Sequence, residues 1–208
     1  AAITPIQFCE KYCQYVDEGY TDVIHVPINR SGSSTYNNAV MAQGMLREER
    51  PEHHLNIHLL DPHTYSMVFG WYLCEMARKL QNGAELRHVI SEFETQMNKM
   101  EIILGPYSLK QMKKSGRISA AAAVMGELMG IRPIITLIDG KTRVESKVRG
   151  DDKVIPAMID LCKKRTEGVE DFDYMIGHTS IPQAAELEKA CRKAFGKAPL
   201  TTFNLGGV

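Results

Sequence analysis

One tryptophan in 208 residues, five scattered cysteines and no surplus of charge of either sign leave this sequence with few obvious signals. The 25 basic and 25 acidic residues cancel, so no broad cationic face is available for nucleic acid, and no nucleic-acid partner is expected. No apolar run is long enough to span a bilayer, and the opening residues do not have the pattern of a signal peptide. The cysteines (Cys9, Cys13, Cys74, Cys162 and Cys191) are odd in number and dispersed, a pattern of free thiols in a reducing compartment. The resulting expectation is a soluble cytoplasmic protein. No P-loop, G-x-G-x-x-G, G-x-S-x-G or H-E-x-x-H motif occurs, nor any internal repeat or low-complexity segment. The chain opens on Ala1-Ala2-Ile3 without a methionine and closes on Asn204-Leu205-Gly206-Gly207-Val208, and both ends are expected to be cut from a longer protein.

What is present is an alternation of short apolar runs with helical stripes. Thr4-Pro5 reads as N-cap and first helical residue, with Ile6, Cys9, Cys13 and Val16 as the buried stripe and Gly19 as the stop. Val23 to Ile28 is a nearly unbroken apolar run, suited to a strand buried on both faces. It leads into Asn29-Arg30-Ser31-Gly32-Ser33-Ser34-Thr35, a hydroxyl-rich turn, and then a helix over about 34–47. A second strand is expected over Leu55–Leu60. Helices follow over about 66–81, carrying Phe69, Leu73, Met76 and Leu80, and over 84–99, carrying Val89, Ile90, Phe93 and Met97. Beyond residue 98 the pattern predicts a strand at Ile102–Leu104, a basic helix at Tyr107–Lys114 and a small-residue helix over 120–130. Next come a hairpin turning at Asp139-Gly140, helices near 153–165 and 182–195, and strands near 173–178 and 200–205. The reading is an α/β fold: a mostly parallel sheet with flanking helices in a domain over 1–98, and a second α/β domain with a hairpin over 99–208.

The chemistry centres on the turn after the first strand. In open α/β sheets ligands bind at the carboxyl ends of strands, where helix N-termini offer unpaired N–H groups. Serines there act as N-caps or hold an anion, and the residues alone leave both roles open for Ser31 and Ser33. A hydrolase reading takes Ser33 or Ser34 as nucleophile and His178 as base. His53, His54, His58, His63 and Asp61 are dense, but His54 and His58 stand about 13 Å apart along a strand, too far for one ion. Cys9 and Cys13 lie four apart on a helix without further ligands nearby in sequence. No metal site and no cofactor is expected.

Three blocks go beyond general pattern. LKQMKKSGRIS followed by GELMGIRPIITLIDGK and KVRG (109–150) resembles the signature region of the DegV family. INRSGSSTYNNA (28–39) is similar to that family's Ser-Gly-Thr-Tyr block, with Ser33 and Thr35 in register and Ser34 where glycine is usual. LLDPHTYSMVFG (59–70) is similar to its Asp-Ser block, keeping Asp61, Ser66 and Gly70. The resemblance implies two α/β domains and a long-chain fatty acid lying in a tunnel between them. It also implies presentation of the acyl carboxylate to a partner fatty acid kinase, with no catalysis by the chain itself. By position, Ser33 would hydrogen-bond the carboxylate with Thr35 in support, and Arg117 would stand at the ligand mouth or the docking surface. Met125, Met129 and Ile131 are weaker candidates for the tunnel lining, and Lys110, Lys113 and Lys114 for partner docking. The family's Thr-Ser carboxylate pair falls at or before Ala1, and its C-terminal histidine beyond Val208. No membrane span is expected, transient contact with a membrane surface being left open. The alternative from another class is an α/β enzyme, a hydrolase or phosphoryl-transfer enzyme, using Ser31–Thr35 as nucleophile or anion site. A third reading is a lipid sensor without a kinase partner.

Overall fold

The computed structural model describes residues 2–108 and 130–205, which group into two compact units, Ala1–Met100 and Glu101–Val208. In the first unit, α1 (Pro5–Asp17) leads to β1 (Asp22–His25), α2 (Thr35–Glu49), β2 (Asn56–Leu59), α3 (Met67–Gln81) and α4 (Leu86–Met97). Strands β1 and β2 pair in parallel, Asp22 opposite Asn56 through His25 opposite Leu59. Successive side chains on a strand point to opposite faces, and here that alternation divides the unit into two cores. Val23, Ile57 and Leu59 turn to α1 and α2, against Phe8, Cys9, Tyr12, Ala39, Ala42 and Leu46. Ile24 and Val26 turn to α3 and α4, where Met76, Val89, Phe93 and Met97 are buried with Leu60.

Helix α1 starts as its sequence indicates: Thr4 and Gln7 form a reciprocal capping box with Pro5 at the first turn. Of the expected stripe, Cys9, Cys13 and Val16 pack in or against the core, and Ile6 does not. Phe8, Cys9 and Tyr12 face inward, while Ile6 is 60% exposed. The aromatic residues one turn apart cover more apolar surface than Ile6 could from the helix's first turn. The first strand is also shorter than the apolar run, ending at His25. Pro27 lacks a ladder donor, which ends regular pairing, although Leu60 N still donates to His25 O at 3.0 Å.

The second unit contains an antiparallel sheet of β3 (Ile102–Leu104), β4 (Ile131–Ile138) and β5 (Lys141–Arg149). The β4–β5 turn is Asp139-Gly140, both at positive φ (48° and 72°), the geometry of a type I′ hairpin turn. Pro133 is tolerated in β4 because β3 pairs only with Ile135–Leu137 and leaves that side of residue 133 outside the ladder. Helix α5 (Val154–Arg165) packs closely on the segment after β3. A Cβ at Gly105 would lie only 2.5 Å from Val154 Cγ1, so glycine is required there. A parallel pair, β6 (Ile176–His178) and β7 (Thr202–Asn204), flanks α6 (Ile181–Phe195). The α/β class and the hairpin are thus present. The expected helices over 107–114 and 120–130 fall largely outside the described residues. Among the described residues, no helix is long and apolar enough to cross a membrane.

Burial also leaves a titratable mark. The Tyr12 hydroxyl and His25 Nδ1 are hydrogen-bonded at 2.6 Å, with the Phe8 ring edge-on to the imidazole. Burial holds the His25 pKa below its ordinary value and pushes the Tyr12 phenol up.

Two outcomes follow. Phe93→Ala should cost about 3–5 kcal/mol of unfolding free energy in urea, and Ile6→Ala no more than about 0.5 kcal/mol. Equal losses would contradict the observed stripe. His25 takes up its proton less readily folded than unfolded, so the unfolded chain binds more protons below about pH 6.5. Stability should therefore be full above about pH 7 and fall on acidification towards pH 5. His25→Gln keeps an acceptor for Tyr12 and should flatten that part of the profile; an unchanged slope would assign it to another group.

Candidate functional site

The carboxyl ends of β1 and β2 emit two loops, 26–34 and 60–66, and parallel pairing puts them side by side. They are joined in several ways. Asn29 N donates to Thr64 O at 3.2 Å. Asp61 Oδ1 accepts from His63 N at 3.0 Å and from Arg30 N at 3.4 Å, while Asp61 Oδ2 lies 3.3 Å from Arg30 Nε. The Tyr65 phenol lies over Gly32 so closely that a Cβ at residue 32 could not coexist with it. In the second loop His63 and Ser66 both have positive φ, and Ser66 (φ 64°, ψ −154°) occupies a region that glycine ordinarily fills. Backbone strain of this kind persists only where surrounding contacts over-determine the chain.

Asn29 organises the first loop. It is 1% exposed, and its Oδ1 accepts from Ser31 N at 2.7 Å and from Ser31 Oγ at 2.5 Å. This is an Asx turn closed by the hydroxyl as well as the backbone. The other end of the same amide, Nδ2, is buried without a hydrogen-bond partner among the described residues, and a buried donor left unmade is costly. Next along the loop, Ser33 Oγ lies 2.7 Å from Thr35 Oγ1 and accepts from Thr35 N at 3.2 Å. A hydroxyl pair shares one hydrogen between its two oxygens, so one O–H remains to be aimed outward.

Of the two roles left open for Ser31 and Ser33, Ser33 takes part in capping, since its Oγ accepts from the N–H of Thr35, the first residue of α2. The N-cap of α2 is Ser34, which makes no side-chain capping bond; Ser31 turns back to Asn29 and Ser33 to Thr35. The first N–H groups of α2, at the positive end of its dipole, sit beside these hydroxyls. Arg30, a cation at this loop, is matched by Asp61. A cluster of neutral donors with a balanced ion pair suits a single negative charge better than a polyphosphate.

Ser33 and Thr35 are therefore brought together. Ile131 opens β4 in the second unit, half-buried and paired with Arg149. Arg117, Met125 and Met129, with Lys110, Lys113 and Lys114, lie outside the described residues. Among the described residues, the hydrogen bonds of Ser33 run to Thr35. His178 ends β6 in the second unit. The histidines near residues 53–63 turn to separate partners: His58 to Asp22 at 2.8 Å, and His53 to Leu55 N at 3.1 Å. Sequence reasoning missed Asn29 and Thr64. The Asn-x-Ser spacing that opens the turn is the Asx-turn signal by which Asn29 is recognisable; nothing in sequence indicates Thr64.

With this geometry in hand, comparison with known proteins is informative. A family model described as "Uncharacterised protein, DegV family" matches residues 1–208. A DegV domain-containing protein from Clostridium perfringens is 30% identical over 161 residues, covering 77% of this chain and 55% of that protein. The chain thus spans about half the length of that curated relative. Among solved structures, a stearic acid-binding protein from Eubacterium ventriosum matches with a TM-score of 0.84 at 20% identity, covering 97% of this chain and 69% of that one. A fatty acid binding DegV family protein from Streptococcus agalactiae matches with a TM-score of 0.83 at 26% identity, over 100% of this chain and 72% of that one.

Asn29→Ala removes the acceptor of both Ser31 bonds inside a buried turn and should destabilise by about 1–3 kcal/mol in urea unfolding. Ser31→Ala, which keeps the backbone bond, should cost less, about 0.5–1.5 kcal/mol. The reverse order would mean that Asn29 does not hold the turn.

Proposed function

The chain belongs to the DegV family, and we propose that it binds a long-chain fatty acid through the turn 29–35, holding the carboxylate without transforming it. The observation that carries this reading is the set of neutral donors at one loop: the Ser33–Thr35 hydroxyl pair and the buried Nδ2 of Asn29. Ser33 donates to the carboxylate and Thr35 supports Ser33. Such a ligand needs a few aimed donors and an apolar enclosure for its tail. Met125, Met129 and Ile131 are proposed as part of that enclosure, methionine adapting readily to a flexible chain. A tail of about sixteen carbons contributes roughly 10 kcal/mol of gross burial at ~0.8 kcal/mol per CH₂, before the cost of ordering it. The names of the structural relatives from Eubacterium ventriosum and Streptococcus agalactiae, as fatty-acid-binding proteins, support this ligand class.

The finer role is that of a carrier presenting its acyl carboxylate to a partner kinase in the cytoplasm, with Arg117 at the ligand mouth or the docking face. The five free thiols suit that compartment. A carrier needs no nucleophile of its own, in keeping with Ser33 being bonded to Thr35.

The test is organic extraction of the purified protein followed by mass spectrometry, beside Ser33→Ala and Thr35→Val. About one fatty acid per chain is expected from the wild type, with at least a tenfold loss of affinity for added fatty acid in Ser33→Ala, or about 1.4 kcal/mol. A folded wild-type protein that yields no lipid and binds none when it is supplied would overturn the reading.

A further inference from the structure

Away from this turn, two sulfurs and a carboxylate converge where α1 packs on α2. Cys9 and Cys13 stand one turn apart on α1, and Glu49 ends α2. A carboxylate oxygen of Glu49 and the two Sγ atoms all lie within 4.8 Å of one another, and the Cys13 thiol donates to Glu49 Oε2 at 3.6 Å. Spacing along the chain supplied only the two thiols; folding brings the third donor from 36 residues away. Cys9 is 1% exposed within the Phe8–Tyr12–Leu46 core, whereas Glu49 is exposed, so the cluster is closed on its inner side and open on its outer side.

We propose that Cys9, Cys13 and Glu49 form a binding site for a thiophilic divalent cation, zinc in the first instance, with water in the fourth position. The donor types decide the ion. Two thiolates and one carboxylate match zinc and cadmium, whereas calcium and magnesium call for oxygen ligands throughout. The spacing decides between an ion and a disulfide. Side chains at i and i+4 of a helix keep their Cβ atoms about 5–6 Å apart, while a disulfide needs about 3.5–4.5 Å. Oxidising this pair would therefore require α1 to unwind. A tetrahedral ion with Zn–S bonds of about 2.3 Å holds its sulfurs about 3.8 Å apart, and rotation of the exposed Glu49 and the half-buried Cys13 closes the remaining distance. Both thiols release their protons to solvent on binding. Arg50, next in sequence to Glu49, is paired with Asp17 at 3.5 Å. An ion held here clamps the α1–α2 pair that builds one of the two cores of the first unit.

Cadmium reports thiolate ligation directly through its ultraviolet charge-transfer absorption, so the reduced, purified chain is titrated with Cd²⁺. Expected is one ion per chain bound through sulfur, release of about two protons, and displacement by Zn²⁺. Cys13→Ser should abolish the absorption, Glu49→Gln should weaken binding at least tenfold, and Cys74→Ser, which alters an exposed cysteine, should change neither. Glu49 is exposed, so Glu49→Gln remains informative even if a core thiol variant folds poorly. An absorption that persists in Cys13→Ser, an affinity unaffected by Glu49→Gln, or no stoichiometric binding by the folded wild type would each overturn the site.

Discussion

Parallel pairing of four residues in β1 with four in β2 is the constraint from which the rest of the first unit follows. Antiparallel strands would put the two outgoing loops at opposite ends. In parallel they leave the sheet together, and only then can Asn29 reach Thr64 and Arg30 reach Asp61. The same pairing sends alternate side chains to two separate helix pairs, so this short stretch of ladder organises both cores. Little backbone hydrogen bonding is involved; most of the stabilisation comes from the apolar surface that the alternation covers.

The elements themselves were readable in the chain. Capping residues marked the start of α1, clean helical spacing marked α4, and Asp139-Gly140 marked the hairpin. What was not readable were boundaries and faces that depend on neighbours. Val26 to Ile28 looked like strand because apolar runs say nothing about pairing, and Pro27 ends it. Ile6 looked buried because periodicity identifies a stripe only to within about one position, and Phe8 and Tyr12 took the inner face.

At the candidate site, the hydroxyl-rich turn stood out from composition alone, yet its internal wiring did not. The serines bond within their own loop, whereas the contacts that hold that loop in place, from Asn29 to Thr64 and from Arg30 to Asp61, come from a loop more than thirty residues away in sequence. The pairing of Ser33 with Thr35 is local and was within reach of sequence reasoning. The buried amide of Asn29 and the Thr64 carbonyl that fixes its backbone belong to tertiary structure. The Cys9–Cys13–Glu49 cluster is similar: two members were visible as a spacing, and the third is supplied by helix packing.

The contact between Tyr65 and Gly32 has a consequence for how this chain can drift over generations. The Tyr65 side chain fills the space that a side chain at 32 would need, so position 32 is not free to change while Tyr65 keeps its place. A side chain arriving at 32 calls for a smaller residue at 65, and a smaller residue at 65 opens room that 32 can then occupy. The constraint runs one way across a gap of thirty-three residues: what stands at 65 decides what 32 can hold, while 65 can shrink without any change at 32.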